Sequence, residues 1–202
     1  MFYYHWEIIG VGFSHKKKNN VNGKIIKINL NNQSYELFSM GHRNPQGLVL
    51  DNLENIILET EHGPKGGDEV NIIYFKNNII KDIPNYGWPI SSLGEHYNDP
   101  NGDKYKKYPL YKSHIDNGFV EPIKSFTPSI GISEIEKIGK RKYVFGSLGN
   151  KSLYFFKLDE NNNIENTQQV IVNERIRDLK FHENKLYLLL EDSPSIGIIS
   201  LK

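Results

Sequence analysis

Two short polar segments flank a pair of apolar strands, and the first of them is GHRNPQG at residues 41–47. Pro45 cannot donate a hydrogen bond to a neighbouring strand, so Arg43, Asn44 and Gln46 are expected on a loop that enters a strand. An arginine guanidinium is permanently charged, and its planar fork matches two oxygen atoms at once. The segment predicts a site for an anion or a ligand rich in carboxylates and carbonyls. The alternative is a loop arginine paired with a surface acid.

The second polar segment is EHGPKGGDEVN at residues 61–71, which follows an apolar strand. Gly63 and Pro64 fix an unusual backbone, and the two glycines after them allow a close turn that can aim carbonyl oxygens inward. Carbonyl oxygens beside Asp68 and Glu69 form the hard oxygen set that Ca²⁺ prefers. Taken alone, a turn of this composition more often serves as a plain connection between strands, and a calcium site is the alternative interpretation of the segment.

Two further segments carry aromatic and basic side chains. In NYGWP, Tyr86 and Trp88 either hold a rigid corner, the favoured interpretation, or stack on a ring ligand. In ERIRDL, Arg175 and Arg177 lie two apart in a strand-like run and therefore share one face. Two adjacent guanidinium groups repel each other unless an anion lies beside them. The neighbouring acids would face the other side of a regular strand, which favours a bound anion over ion pairs with these acids.

The elements that must position these residues are β-strands. Helical periodicity is weak, whereas short β-rich runs recur, and the Asn-, Asp- and Gly-rich turns between them predict antiparallel connections. Several runs are apolar at consecutive positions, which indicates sheets covered on both faces. The runs are KIIKINL, YELFSM, NIILETE, EVNIIYF, RKYVFGSL, SLYFFKL, KLYLLLE and IGIISLK.

The predicted fold class is all-β, with a single domain over residues 1–202. A β-sandwich and a β-propeller both fit the pattern. A propeller uses about 40 to 50 residues per four-stranded blade, so this length predicts about four blades. No internal repeat is visible to favour the propeller. Residues 85–128 have few strand signals and are too long for a plain connection, so they predict a functional excursion within the domain.

Composition excludes several functional classes. The 202 residues carry a formal net charge of +1, which gives no overall field to attract nucleic acid or an anionic membrane. The lack of cysteine excludes thiol nucleophiles, disulfides and cysteine-bound zinc. No apolar run reaches the roughly 18 to 20 residues of a membrane span. The opening MFYYHWEIIGVGF lacks the features of a signal peptide and starts abruptly in strand-like sequence, so we expect the chain to begin partway into a larger architecture.

Taken together, the segments resemble the soluble pyrroloquinoline-quinone (PQQ)-dependent sugar dehydrogenases of the glucose/sorbosone dehydrogenase family. GHRNPQGL, EHGPKGGDEVN, NYGWP, PSIGIS and RIRD occur in the family's order and spacing. The resemblance covers about residues 22–202 and corresponds to the later part of the family's domain. It implies a β-propeller of the six-bladed type, here truncated to about four blades. It also implies calcium- and PQQ-dependent oxidation of an aldose sugar at C1 to the lactone.

The resemblance also implies roles for individual residues. Gly63 and Pro64 would hold the catalytic Ca²⁺ through their backbone oxygens. PQQ carries three carboxylates, so several arginines are needed to neutralise it. The two ends of the hairpin would thus face one central site. The implied cofactor-binding residues are Arg43, Asn44, Gln46, His62, Asp68, Ser129, Arg175 and Arg177.

Two departures from the family pattern leave other functions open. The family's catalytic base is a histidine from an earlier blade, and His5, His15 and His62 do not match it, so no catalytic residue is assigned. Where relatives place a lysine after the strand in VFGSL, this chain has Gly149 and Asn150. A non-catalytic propeller that binds a carbohydrate or a protein partner is the alternative, and a sugar-binding β-sandwich is a weaker one.

The resemblance sets the remaining expectations for partners and location. The expected partners are a small-molecule sugar and an electron acceptor. A homo-oligomer or a missing N-terminal segment is also expected. Family members act in the periplasm or outside the cell, so the same location is expected here.

Overall fold

The computed structural model describes residues 2–4, 21–75, 82–95 and 114–201, the first of these ranges by its backbone alone. Within these ranges the chain forms β-strands and one short 3₁₀ helix, Ile115–Asn117. The strands are β1 (Phe2–Tyr4), β2 (Lys24–Ile28), β3 (Tyr35–Met40), β4 (Pro45–Asp51), β5 (Ile56–Glu61), β6 (Asp68–Tyr74), β7 (Lys124–Phe126), β8 (Ile132–Gly139), β9 (Lys142–Ser147), β10 (Ser152–Leu158), β11 (Ile164–Ile171), β12 (Ile176–His182), β13 (Lys185–Leu190) and β14 (Ser195–Ser200). No helix in this part of the chain is long and apolar enough to cross a membrane.

The strands form four sheets, each made of strands that are consecutive along the chain. Blade 1 is β1–β3, blade 2 is β4–β7, blade 3 is β8–β11 and blade 4 is β12–β14. Every strand pair within a blade is antiparallel. Such meanders, placed side by side, are typical of propeller blades. The predictions of an all-β propeller and of about four blades are therefore confirmed, and the β-sandwich alternative is wrong.

Among the described residues, the hydrophobic core consists of three clusters, each between two successive blades. Phe38 of blade 1 packs with Ile57 of blade 2, Leu58 of blade 2 packs in the cluster that contains Phe145 of blade 3, and Leu186 of blade 4 completes the third cluster. Burying one such side chain contributes about 1.5 to 3 kcal/mol. Neighbouring residues of β5 thus face two different blades, which explains why the predicted strands are apolar at consecutive positions.

Tight turns join the strands as the sequence predicts. Asn55, Asn162 and Asn184 have φ angles of 56°, 65° and 57°. This left-handed region is one that asparagine tolerates better than most residues.

The excursion predicted for residues 85–128 is described only in part, because residues 96–113 lie outside the described ranges. Near its start, Asn85 forms an isolated parallel β-bridge with Met40 of β3. Its last part contains β7, the fourth strand of blade 2. The stretch therefore contributes a blade strand as well as loop.

Candidate functional site

Strand pairing brings the two polar segments side by side. Pro45 at the start of β4 pairs with Glu61 at the end of β5. The Glu61 carboxylate accepts hydrogen bonds from the backbone N–H groups of Arg43, at 2.6 Å, and Asn44, at 3.2 Å. The guanidinium Nη1 of Arg43 donates to the carbonyl of His62 at 3.0 Å. Hydrogen bonds therefore join the two ends of the hairpin into one structural unit.

A cavity of about 230 Å³ lies on this unit. Its wall includes residues from the GHRNPQG segment, from the EHGPKGGDE segment and from the loop before β8. The lining residues are Arg43, Asn44, His62, Gly63, Pro64, Asp68, Ser129 and Gly131. All of these except Gly131 are site residues predicted from the sequence. Gln46, Arg175 and Arg177 do not line this cavity.

The Asp68 carboxylate fastens the loop that carries Ser129 to the rest of the site. Its Oδ2 accepts hydrogen bonds from the N–H groups of Ile130, Gly131 and Ile132 at 3.0, 2.7 and 3.1 Å. Its Oδ1 accepts a longer one, 3.3 Å, from the N–H of Gly63. Asp68 is buried, so these bonds replace its hydration. The side chain therefore holds two walls of the cavity together.

The turn that begins at Gly63 is closed too tightly for any larger residue. A Cβ at this position would lie 2.2 Å from the carbonyl oxygen of Gly66 and 2.3 Å from that of Gly67. Contacts this short do not occur, so the turn depends on glycine. Gly63 and the following Pro64 both line the cavity, as expected for a turn that presents backbone to a ligand.

His62 lines the cavity as a neutral imidazole. Burial, opposed by the charge of Asp68, lowers the pKa of His62, and the positive charges of Arg43 and Arg177 lower it further. Its Nε2–H donates to the carbonyl of Ile132 at 2.6 Å, which leaves Nδ1 as an acceptor.

Arg175 and Arg177 bind one carboxylate of the chain itself. Arg175 Nε lies 2.7 Å from Glu191 Oε2, and Arg177 Nη2 lies 3.0 Å from Glu191 Oε1. The hydrogen bond from Arg175, followed by that from Arg177, lowers the pKa of Glu191. The two guanidinium groups are therefore paired with an acid of the chain itself, Glu191, which lies outside the ERIRDL segment, and the bound anion stays a prediction. Both arginine side chains are about two-fifths exposed, at 39% and 43%.

Gln46, Tyr86 and Trp88, which were also singled out from the sequence, lie outside the lining of the cavity. Gln46 Nε2 donates to the carbonyl of Asn44 at 3.1 Å and so braces the loop. Tyr86 is buried and donates its hydroxyl to the carbonyl of Ile72 at 2.6 Å, which fits the favoured interpretation of NYGWP as a corner. The Trp88 ring lies 5.3 Å from Arg43 Cζ, within the range of a cation–π contact.

Sequence reasoning missed a buried polar cluster on the blade 1 side of the site, except for Glu69, which it had grouped with Asp68 as a calcium-type ligand and which does not line the cavity. Its members are His42, Glu59, Glu61, Glu69, Asn71 and His114, all of them buried. Burial and the nearby charge of Glu61 raise the pKa of Glu59 well above its ordinary value, and burial raises that of Glu69. The signal was present in β5, where positions 57, 59 and 61 share one face and change from isoleucine to two glutamates.

Four meandering sheets with a polar cavity at their loops define a β-propeller with a candidate ligand site. The family model of glucose/sorbosone dehydrogenases matches residues 16–199, and the chain belongs to that family. It is 28% identical over 167 residues to the aldose sugar dehydrogenase YliI of Escherichia coli (strain K12), an overlap of 78% of this chain and 42% of that protein. It is 35% identical over 97 residues to quinoprotein glucose dehydrogenase B of Acinetobacter calcoaceticus, which is 43% of this chain and 18% of that protein.

A crystal structure of a glucose dehydrogenase is also similar, with a TM-score of 0.69 and 26% identity. The similarity covers 90% of this chain and 55% of that one. The chain thus spans about half the length of the solved relative, and less of the two curated proteins.

Proposed function

We propose that this chain provides the cofactor-binding half of a PQQ- and Ca²⁺-dependent aldose dehydrogenase. The observation that carries the proposal is the single cavity of about 230 Å³ that gathers a guanidinium, an amide, an imidazole, a hydroxyl and a glycine–proline turn. These groups come from three separate stretches of chain. The volume of the cavity is close to the lower limit of about 300 Å³ for sites that enclose small ligands.

The donors in the cavity fit a flat polyanion. Arg43 is held by the His62 carbonyl and by the Trp88 ring, so its orientation is fixed before any ligand arrives. A pre-oriented guanidinium binds a carboxylate without a large loss of side-chain entropy. Asn44 and Ser129 add neutral donors on other walls. Arg175 and Arg177 would complete the charge if the ligand carboxylates shared them with Glu191.

The turn at Gly63 and Pro64 fits the calcium that the resemblance implies. A hard cation takes carbonyl oxygens, and this turn is closed so tightly that carbonyls of Gly66 and Gly67 pack against Gly63. Gly63 and Pro64, which both line the cavity, would hold Ca²⁺ through their own backbone oxygens. Asp68 would act at one remove, by fixing the turn through the N–H of Gly63.

PQQ and Ca²⁺, when bound, would supply the redox and Lewis-acid chemistry for removal of one hydride, which carries both electrons, from C1 of the sugar. This chain would bind and orient the cofactor and exclude water from its buried edge. The proton of the C1 hydroxyl requires a base. His62 is the one described histidine that lines the cavity. Its Nε2–H donates to the Ile132 carbonyl, its Nδ1 lies 3.5 Å from the Asn44 amide nitrogen, and its position does not match the family's base histidine. We therefore assign no catalytic residue to the described part of the chain.

Calorimetric titration with PQQ tests the proposal, first with CaCl₂ and then with EDTA. Calcium-dependent binding in the micromolar range or tighter is expected, and Arg43→Ala should weaken it at least tenfold. The control is Arg141→Ala, which removes an arginine that binds Glu54 and the carbonyls of Leu158 and Asp159, none of which lines the cavity, and urea denaturation checks that this variant is folded. Correctly folded protein that binds no PQQ would refute the proposal. Sugar-dependent dye reduction by the loaded protein then tests turnover.

One observation favours a second function, the non-catalytic binding of a carbohydrate or protein partner. Glu191 already binds both arginines of blade 4 and would compete with a ligand carboxylate for them. The same titration separates the two functions. PQQ binding supports the dehydrogenase proposal, whereas glycan binding without PQQ binding supports the alternative. A periplasmic or extracellular location, which the family resemblance implies, is tested by fractionation of cells that express the native gene.

A further inference from the structure

We propose that His42, Glu59 and Glu61 form a second metal site, for a first-row divalent cation such as Zn²⁺, separate from the turn at Gly63 and Pro64. The coordinating atoms would be His42 Nδ1, Glu59 Oε2 and Glu61 Oε1, which all lie within 4.8 Å of one another. All three residues are buried between blades 1 and 2.

Strand geometry explains how these side chains meet. Ile57, Glu59 and Glu61 alternate along β5 and so share the face that points to blade 1. Ile57 pairs with Ile73 of β6 in the core, and the next pair along the same face is Glu59 with Asn71. The hydrophobic cluster between blades 1 and 2 thus continues directly into a polar one. His42 comes from the loop after β3 of the opposite blade.

The two distances from His42 to the carboxylates are close to those expected around a tetrahedral ion. Zinc binds histidine nitrogen at about 2.0–2.1 Å and carboxylate oxygen at about 2.0–2.2 Å, so tetrahedral ligand atoms lie about 3.3–3.6 Å apart. His42 Nδ1 lies 3.3 Å from Glu61 Oε1 and 3.7 Å from Glu59 Oε2. These separations need little adjustment to accept an ion between them.

Asn71 provides an independent indication of a ligand. Its amide Nδ2 lies 3.0 Å from Glu59 Oε2 and 3.1 Å from Glu61 Oε1, within the same cluster. Its Oδ1 and the Glu59 Oε1 atom are buried and have no hydrogen-bond partner among the residues that the structure describes. Buried oxygens without a partner are uncommon, and a bound ion is one standard cause. Rotation of the amide by half a turn would place Oδ1 where Nδ2 lies, as a fourth ligand.

The orientation of His42 suits metal binding. Its other ring nitrogen, Nε2, lies 2.7 Å from the Ser39 hydroxyl, which can accept the Nε2–H bond and leave the Nδ1 lone pair for a metal. The ring is also stacked on Tyr86 with a centroid distance of 4.8 Å. An imidazole among the ligands favours a first-row cation such as Zn²⁺ over Ca²⁺, which takes an all-oxygen shell of six to eight ligands.

Cobalt substitution is the direct test, because tetrahedral Co²⁺ absorbs strongly in the visible range. The purified chain is stripped with a chelator and then given CoCl₂, both in the native state and during refolding from urea, because the buried site loads slowly. One equivalent of Co²⁺ with a tetrahedral spectrum is expected. ZnCl₂ should displace it and CaCl₂ should not. Failure to bind under both loading conditions, or displacement by calcium, would overturn the proposal.

Two isosteric variants locate the ion. Glu59→Gln removes one ligand charge and should weaken Co²⁺ binding at least tenfold. Glu69→Gln is the matched control, because Glu69 is equally buried and also contacts Asn71, at 3.3 Å, but lies outside the ligand set. This control should retain the cobalt spectrum. Equal binding by wild type and Glu59→Gln, with circular dichroism showing the same fold, would place the cobalt elsewhere and reject the site.

Discussion

Two regions carry the charged groups proposed for the ligand, and they are built differently. The blade 2 side, with Arg43, His62 and Asp68, is partly or fully buried and is held by hydrogen bonds to backbone groups. The blade 4 side, with Arg175 and Arg177, is about two-fifths exposed, and its guanidinium groups bind one carboxylate, Glu191. Bonds between buried charged groups and backbone are worth more than exposed ion pairs. The first region is therefore preorganised, whereas the second can exchange one anion for another.

The largest effect is expected from Asp68→Asn. One oxygen of this carboxylate accepts three backbone N–H groups, and an amide in its place must either turn its NH₂ toward them or lose its bond to Gly63. Unfolding free energy should fall by about 4 kcal/mol. Urea denaturation measures this loss. The exposed Asp192→Asn is the control, and its urea midpoint should stay close to that of the wild type. Equal midpoints for both variants would mean that the two regions do not differ in rigidity.

A somewhat smaller effect is expected from Gly63→Ala. The added methyl group would lie 2.2 Å from the carbonyl oxygen of Gly66, so the turn must open, at a cost of about 3 kcal/mol. Calcium-dependent PQQ binding should be lost with it. In Gly139→Ala the new methyl group meets only Lys142 side-chain atoms, the nearest at 3.6 Å, so stability and binding should persist. Retained calcium-dependent binding in Gly63→Ala would show that the turn does not hold the cation.

A pH effect should also originate from the buried side. Glu134 accepts hydrogen bonds from the N–H groups of Ile135, at 3.0 Å, and Leu48, at 3.2 Å, between blades 2 and 3. Burial raises its pKa to about 7, against an unfolded value of about 4.3. The protonated form is thus favoured in the folded state. The contribution of Glu134 to folding stability is therefore complete below about pH 4 and is lost as the pH rises through 7.

Glu134→Gln should therefore reduce the decline of stability between pH 5 and 7.5, by roughly 2 kcal/mol, in urea titrations at several pH values. Glu191→Gln serves as the comparison, because its arginine partners lower the pKa of Glu191 and move its titration to more acidic pH. In Glu191→Gln, the decline of stability between pH 5 and 7.5 should be the same as in the wild type. If the pH dependence of stability changed in Glu191→Gln and not in Glu134→Gln, the pH effect would originate from Glu191 instead.

Sequence patterns predicted the fold well where strands pack on both sides. β5 and β10 are apolar at consecutive positions because each lies between two blades, and this pattern identified them. β11 was missed because it is the outer strand of blade 3, largely exposed, and its sequence IENTQQVI shows little apolar alternation. β7 was missed because three residues are too few to show a period.

In the candidate site, too, some contacts could be predicted from the sequence and others could not. Arg43, Asn44 and His62 could be grouped in advance because they lie at adjacent ends of one hairpin, so local register alone brings them together. The pairing of Arg175 with Glu191 could not be predicted, because it depends on the position of the end of β13 relative to β12. The contact of Asp68 with the loop before β8 depends on the packing of blade 2 against blade 3, which no local pattern encodes.

The smallest effect is expected from Glu191→Gln, and it tests the exchangeable side directly. Loss of this carboxylate removes the competitor for Arg175 and Arg177, so PQQ affinity should rise by about threefold while the urea midpoint stays almost unchanged. The gain should shrink as salt is raised, because exposed charges are screened. Glu165→Gln makes the same change in net charge at an ion pair with Lys157 on blade 3 and should leave the affinity unaltered. If Glu191→Gln weakens PQQ binding, Glu191 holds the arginines in place for the ligand, and the blade 4 side is as preorganised as the blade 2 side.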